Sequence, residues 1–215
     1  MRGFSGFPLA GLDFYEDLEA DNSKQFWATH RHVYESAVRE PMLALTALLE
    51  PEFGPAKLFR PYRDVRFSKD KTPYKTAQGA VVRTAPGVGW YVQVGAPGLF
   101  VGGGFYQGTP AQLAQLRSTV EDEVRGTELG KILAATAAAG FTIGGEKLKT
   151  KPKGFEADHP RIDLLRHKSI TAGREFGAPE WLATPRTADE VRAAWEAVRP
   201  LVDWLSAVVG GTGDR

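Results

Sequence analysis

Residues 80–105 read AVVRTAPGVGWYVQVGAPGLFVGGGF, and the architecture of the chain follows from them. Three short runs rich in β-branched and aromatic residues, Ala80–Arg83, Trp90–Val94 and Leu99–Phe105, are separated by two Ala-Pro-Gly turns. Connections this short cannot hold a crossover helix. The stretch therefore predicts an antiparallel β-meander at the centre of the sequence.

Helical patterns precede the meander. Residues 8–50 carry an apolar stripe at helical spacing, and Asn22 or Ser23 is placed to cap a second helix. Pro is favoured at the first position of a helix, so Pro41 predicts a new helix over residues 41–49. Its inward residues are predicted to be Leu45, Leu48 and Leu49.

Helical patterns resume after the meander and complete the fold class. The predicted elements are a helix capped by Thr109 and Gln112, a helix over 128–139, a strand over 141–143, a short helix over 158–165 and a last helix capped by Thr187 and Glu190. We predict an α+β fold, with a central antiparallel meander flanked by N-terminal and C-terminal helices, in one domain over residues 1–209. Residues 210–215 are predicted to fray.

The amino-acid composition limits which binding partners and which cellular location can be predicted for the chain. With 27 basic and 26 acidic residues the net charge is +1, so any attraction to anions must be local. The chain has no cysteine, which excludes disulfides and thiolate sites and suits a reducing compartment. It shows neither a signal-peptide pattern nor an apolar run of about 20 residues. We therefore predict a cytoplasmic protein without a membrane partner.

The densest positive charge lies in residues 57–75, KLFRPYRDVRFSKDKTPYK. Arg63–Phe67 alternates like a strand, and Ser68–Lys71 resembles a turn whose backbone N–H groups suit an anion. Arg side chains present a planar fork that matches phosphate or carboxylate, although a charged sheet edge is the structural alternative. The candidate anion ligands are Arg60, Arg63, Arg66, Lys69, Lys71 and Lys75.

A second basic group follows about 80 residues later, with Lys147, Lys149, Lys151 and Lys153 spaced by two. Alone, this group is typical of a solvated loop. Combined with the first, it predicts an opposite wall of a positively charged cleft, to which Lys149 and Lys151 contribute.

Three residues are candidates for proton transfer: Asp64, Asp70 and His159. His159 adjoins Asp158, and the structural alternative makes Asp158 a helix cap and His159 a packing residue. The remaining histidines show no metal-ligand spacing, so no metal site is predicted. Whether the protein is an enzyme, which cofactor it uses and how it oligomerises stay open.

The glycine triplet at 102–104 fails the tests for a phosphate-binding loop. No Gly-Lys-Ser/Thr follows it, and Gln107 stands where a dinucleotide fingerprint needs glycine. Glycines inside a strand mark a bulge or the close approach of another backbone or a ligand.

Together these segments resemble the domain-of-unknown-function family 2461 of bacterial and fungal proteins. The matching segments are 4–7 (FSGF), 60–75 (RPYRDVRFSKDKTPYK), 102–106 (GGGFY), 154–155 (GF), 158–160 (DHP), 200–201 (PL) and 204–205 (WL). The resemblance implies a single α+β domain and carries no established activity.

The basic segments favour one function over two alternatives. The leading prediction is an aromatic-lined cleft that binds a phosphorylated small molecule or a nucleotide. The first alternative is a nucleic-acid-binding module in which Tyr62, Tyr74 or Trp90 stacks on bases. The second is a protein-interaction domain whose Arg-rich face meets an acidic partner.

Overall fold

The computed structural model describes residues 3–66 and 69–212. The α-helices are α1 (Leu9–Ala20), α2 (Lys24–Val33), α3 (Glu40–Phe53), α4 (Pro110–Glu121), α5 (Glu123–Ala138), α6 (Ile162–Leu165) and α7 (Arg186–Val209). The strands are β1 (Ala56–Leu58), β2 (Ala77–Ala85), β3 (Val88–Gly95), β4 (Gly98–Phe105), β5 (Thr142–Gly144) and β6 (Ile170–Gly177). Short 3-10 helices occupy Glu180–Ala183 and Gly210–Thr212. The α+β class is confirmed.

The strands form one antiparallel sheet in the order β1-β2-β3-β4-β6-β5. Two-residue connections join β2 to β3 and β3 to β4, as the Ala-Pro-Gly turns predicted. In the first turn Gly87 has φ +80°, and a Cβ there would lie 1.9 Å from the Gln107 carbonyl oxygen. Only glycine fits this position.

The sequence did not predict β6, which lies beside β4 in the sheet. Its residues, ITAGREFG, combine two glycines and two charged residues with only two β-branched side chains, so the alternation is weak. The glycine triplet of β4 accommodates this neighbour. A Cβ on Gly102 would lie 2.4 Å from the Ala172 carbonyl oxygen, and one on Gly104 would lie 2.3 Å from that of Ile170. The triplet thus marks the close approach of a second backbone.

A π-helical segment, Tyr34–Arg39, joins α2 to α3 without a break. The Glu40 N–H donates to the Glu35 carbonyl, five residues back. In an α-helix, a proline ring clashes with the carbonyl oxygen four residues back. The wider π turn lies just before Pro41, where this clash would otherwise occur. Pro41 therefore lies in the first turn of α3, which begins at Glu40 within a continuous helical stretch.

The described residues fall into two compact units. Unit 1 comprises the chain up to Val82 with Tyr91–Val101 and Glu175–Ala193, and unit 2 comprises Arg83–Trp90, Gly102–Arg174 and the chain from Ala194. Each unit has its own buried core. Large buried residues of unit 1 include Phe7, Tyr15, Leu18, Met42, Leu45 and Leu49, and those of unit 2 include Phe105, Leu116, Leu129, Leu165 and Trp195. The single domain over 1–209 stays a prediction, and of the frayed tail, residues 213–215 lie outside the described residues.

Several local predictions need correction. Leu48 is exposed, because α3 buries Met42, Leu45, Thr46, Leu49 and Phe53 at helical spacing and Leu48 lies off that stripe. Thr187 does not cap α7, which begins at Arg186; its hydroxyl instead donates to the Trp181 and Leu182 carbonyls.

Glu190, the other half of that predicted cap, forms an ion pair with Arg186. The caps at Ser23 and at Thr109 with Gln112 are confirmed. Within residues 3–66 and 69–212, no helix has both the length and the apolar character that crossing a bilayer requires.

Candidate functional site

The first basic segment, residues 57–75, begins in β1, and after Leu58 its described residues fold back without forming another regular strand. Tyr62 and Tyr74 form an isolated antiparallel bridge. On either side of it, the Arg63 N–H donates to the Pro73 carbonyl (2.9 Å) and the Lys75 N–H to the Pro61 carbonyl (2.8 Å). Pro61 and Pro73 have no N–H to continue the ladder. The predicted strand over 63–67 is therefore wrong for residues 63–66, and Phe67 and Ser68 lie outside the described residues.

This bridge sorts the side chains of the segment onto two faces. In an antiparallel ribbon, directly opposed residues share a face and their chain neighbours point to the other one. Tyr62 and Tyr74 therefore lie on one face, the aromatic face. Arg63 and Lys75 lie on the opposite face, which we call the cationic face.

The aromatic face packs on α2. Trp27 stacks on Tyr74 with ring centroids 4.3 Å apart and planes 7° apart, and its centroid lies 6.2 Å from that of Tyr62. Trp27 and Tyr74 are each 5% exposed, whereas Tyr62 is 48% exposed. The buried indole N–H of Trp27 has no hydrogen-bond partner within the described residues. The bridge is thus anchored by burial on one side only.

An asparagine side chain holds the same bridge through its backbone. The Asn22 amide donates to the Tyr74 carbonyl (3.1 Å), and its oxygen accepts from the Tyr74 N–H (3.0 Å). Arg63 Nε donates to that same carbonyl at 2.9 Å. Asn22 therefore fixes the acceptor that orients the Arg63 guanidinium.

A second buried network supports the start of the segment. The Tyr34 hydroxyl donates to the Gln78 side-chain oxygen at 2.6 Å. The Gln78 amide in turn donates to the carbonyls of Phe59 and Gly79, each at 2.8 Å. Burial raises the pKa of Tyr34 to about 12, so its hydroxyl stays protonated and serves as a donor at neutral pH.

The cationic face carries charge that is only partly neutralised. Lys75 Nζ lies 5.2 Å from the centroid of the Phe59 ring. Burial, followed by the positive charges of Arg60 and Arg63, lowers the pKa of Lys75. Within the described residues, neither Arg60 nor Lys75 forms an ion pair. An anion placed here would relieve repulsion that the free protein tolerates.

Other predicted ligands of the first basic segment are engaged locally. Arg66 donates to both carboxylate oxygens of Asp64, at 2.9 and 2.6 Å. Lys71 Nζ donates to the Val65 carbonyl at 2.9 Å. Lys69 is exposed and has no ion-pair partner within the described residues.

Asp70 bridges two parts of the segment. One carboxylate oxygen accepts from the Thr72 N–H (2.9 Å) and hydroxyl (2.7 Å), and the other accepts from Arg63. These Thr72 bonds lower the pKa of Asp70, and the bonds from Arg66 lower that of Asp64. Both carboxylates are therefore ionised at neutral pH and cannot donate a proton.

The second basic segment, residues 147–159, belongs to unit 2. Its lysines are exposed, and Lys151 pairs with Glu156 at 3.0 Å. Arg166 donates to the carbonyls of Leu148 (2.9 Å) and Lys149 (3.0 Å), which fixes the backbone of the loop. The first basic segment belongs to unit 1, so a cleft shared by the two segments stays a prediction.

His159 has a local structural role. Its Nδ1 accepts from the Arg161 N–H at 3.1 Å, and its ring meets Phe155 edge-on with centroids 6.2 Å apart. Asp158 does not cap the short helix, because α6 starts only at Ile162. The catalytic roles of Asp64, Asp70 and His159 stay predictions. Within the described residues, no group of three or more His, Asp or Glu is arranged to hold a metal ion.

The sequence of this chain matches a protein family over most of its length. The family model described as "Conserved hypothetical protein (DUF2461)" matches residues 10–204. The chain belongs to this family. The family resemblance inferred from the sequence is thereby confirmed. The matched range, residues 10–204, includes both basic segments of this chain. A search among curated proteins found no significant match.

Sequence reasoning missed the residues that support the first basic segment. The sequence indicates Asn22 only as a candidate helix cap and indicates no role at the site for Gln78 or Trp27. Asn22 and Tyr74 are 52 residues apart, so no local pattern links them. The sequence offers a signal for Gln78 only: it adjoins the apolar residues 79–82, and buried polar side chains need partners. Asn22 lies among the polar residues 21–25 and gives no such signal.

Proposed function

We propose that this protein binds a small phosphate-bearing molecule, such as a nucleotide, on the cationic face of the first basic segment. Arg60, Arg63 and Lys75 are the core of the site. The observation that carries the proposal is that the bridge places Arg63 and Lys75 on one face, where burial, followed by the charges of Arg60 and Arg63, lowers the pKa of the Lys75 amine. Among the described residues, Asp70 is the only carboxylate that forms an ion pair with any of these three cations. Arg66, Lys69 and Lys71 form its outer rim.

The support beneath the site favours binding over surface decoration. Charged side chains that only prevent another strand from pairing with an exposed sheet edge need no fixed geometry. Here Asn22 and the Tyr74 carbonyl hold Arg63 in place, and buried Trp27 holds Tyr74. Side chains that are ordered before the ligand arrives lose less entropy on binding.

Two observations favour a small ligand over a nucleic-acid strand. Binding a strand needs several exposed rings on which successive bases stack. Of the three predicted stacking residues, Tyr74 and Trp90 are buried and Tyr62 alone is substantially exposed. The net charge of +1 also provides no general attraction to a polyanion.

We infer a binding role before a catalytic one. Asp64 and Asp70 are ionised and ion-paired, and arginines and lysines that are protonated can only stabilise charge. If the bound molecule reacts, a proton acceptor among Asp64, Asp70 and His159 would be required. The absence of cysteine suits a cytoplasmic setting for this binding.

Direct titration tests the proposal. Inorganic phosphate, a nucleoside triphosphate and a short single-stranded oligonucleotide would be titrated at two salt concentrations. The wild type, Arg63→Ala and the double variant Lys149→Ala with Lys151→Ala would be compared. We expect saturable nucleotide binding that Arg63→Ala weakens at least about tenfold, because a neighbouring Lys cannot replace the Arg fork. The double variant should keep most of the affinity.

Salt dependence separates the ligand classes. A strand that lies across several cations releases counterions, with a log-log slope of about −0.7 per phosphate contacted. We expect a shallow slope for the nucleotide and weak oligonucleotide binding. No saturable binding of any probe by the wild type, with its fold verified by circular dichroism, would refute the proposal and favour an acidic protein partner.

A further inference from the structure

Asp70 occupies the position on Arg63 where the proposed ligand would bind. We propose that Asp70 is an internal competitor, which fills the Arg63 fork in the free protein and is displaced when an anion binds. This inference rests on the proposed function. It assigns to Asp70 a role that regulates affinity, in place of the predicted role in proton transfer.

The contacts of Asp70 hold its carboxylate ready for this exchange. The oxygen that accepts from the Thr72 N–H and hydroxyl is fixed within its own turn, at 2.9 and 2.7 Å. The other oxygen contacts Arg63. Loss of the Arg63 contact would leave the Thr72 bonds intact, so the displacement requires no unfolding of the turn.

The strengths of the two interactions favour displacement. The Asp70 side chain is 47% exposed and that of Arg63 is 30% exposed, and exposed ion pairs contribute little to stability. Asp70 carries one negative charge and contacts one cation of the core. A phosphate carries more charge and would interact with Arg60, Arg63 and Lys75 together. The ligand therefore gains interactions that the internal carboxylate does not make.

The neighbouring pair of Asp64 and Arg66 provides a matched control. It is also an exposed ion pair of the same segment, with bonds at 2.9 and 2.6 Å. It lies at the rim of the proposed site, and within the described residues Asp64 forms no ion pair with a core cation. The pKa of Asp64 is lowered most by the bonds from Arg66 and least by the charge of Arg60. Asp64→Asn and Asp70→Asn make the same change in net charge. A difference between their Kd values therefore shows whether freeing Arg66 or freeing Arg63 affects binding.

The experiment measures nucleoside triphosphate binding by calorimetry at fixed salt for wild type, Asp70→Asn, Asp64→Asn and Arg63→Ala. We expect Asp70→Asn to lower the Kd about two- to five-fold, because it removes a surface ion pair from the competing state. Asp64→Asn should change the Kd less than twofold. The Asn side chain can still accept from Thr72, which preserves the turn.

Thr72→Val supplies a second route if Asp70→Asn misfolds. It removes the hydroxyl that holds Asp70 and should lower the Kd in the same direction by a smaller factor. Equal effects of the Asp64 and Asp70 substitutions would overturn the inference, since net charge would then explain both. An unchanged Kd for Asp70→Asn, with Arg63→Ala still defective, would overturn the inference and leave the proposed function standing. If the wild type binds no probe, the proposed function itself fails.

Discussion

Both basic segments are net positive, +5 over residues 57–75 and +2 over residues 147–159, and they differ in how the structure supports them. In the first basic segment, Arg63 donates to a carbonyl that Asn22 also holds, and the adjacent Tyr74 is stacked on buried Trp27. In the second, exposed lysines project from a loop whose backbone carbonyls are held by Arg166. The first arrangement orients cationic side chains, and the second orders only a main chain. Charge density alone does not identify a binding site; fixed side-chain geometry does.

Removing the aromatic anchor should have the largest effect. Trp27→Ala deletes a buried ring stacked on Tyr74, and we expect the free energy of unfolding to fall by about 3–5 kcal/mol. Phe155→Ala, at the half-buried ring of the second basic segment, should cost about 1 kcal/mol. Denaturant unfolding of both variants measures the difference. Similar losses would show that the two segments are equally anchored.

The Asn22 clamp should give the next largest effect. Asn22→Ala leaves the Tyr74 N–H without its partner, and we expect a loss of about 1–3 kcal/mol together with weaker phosphate binding. Ser23→Ala is the control, since it removes the cap of α2 at a cost of about 1 kcal/mol without touching the Tyr74 backbone. If both variants bind phosphate equally well, Asn22 does not position Arg63.

Acid should affect the second basic segment before the first. His167 forms a bridge with Lys147, and burial lowers its pKa. Its neutral form therefore stabilises the fold, and this contribution is lost as the pH falls below the ordinary histidine value of about 6.5.

Hydrogen exchange at successive pH values would locate this loss. Protection around residues 145–169 should fall between neutral pH and pH 5, whereas Asp64 and Asp70 stay ionised to below the usual Asp range. His167→Asn, which retains a donor for the Ser169 carbonyl, should remove the pH dependence. Equal loss of protection in both segments would contradict this assignment.

The smallest effect concerns Lys75. Its pKa is lowered in the folded state, so at neutral pH its charge opposes folding, and stability should rise as the pH increases toward the ordinary lysine value of about 10.4. We expect Lys75→Met to raise the Tm slightly, to remove this alkaline rise and to weaken phosphate binding. Lys149→Met, at an exposed site, should change none of these. A lower Tm for Lys75→Met would indicate that the contact with Phe59 outweighs the repulsion.

The sequence predicted the elements whose signals are local. The meander followed from Pro and Gly turns, and the caps of α2 and α4 followed from Ser23, Thr109 and Gln112. The strand β6 was missed because its pairing with β4 depends on glycines about 70 residues earlier.

The candidate site shows the same limit. The composition of residues 57–75 identified the cations of the site. It did not predict that the segment divides into an aromatic face and a cationic face. That division requires the bridge between Tyr62 and Tyr74, which two prolines confine to a single residue pair. The Asn22 clamp spans 52 residues, beyond any periodicity.

The π-helical turn between α2 and α3 lets this stretch carry one residue more than a continuous α-helix would. An α-helix turns by about 100° per residue, and a π turn holds one residue more than an α turn. Deleting one residue from Tyr34–Arg39 would therefore convert the wide turn to an α turn and keep the phase of α3, so Leu45 and Leu49 would stay in the core. A deletion between Leu43 and Leu45 has no wide turn to absorb it, and it would move Leu49 to the exposed position that Leu48 now occupies.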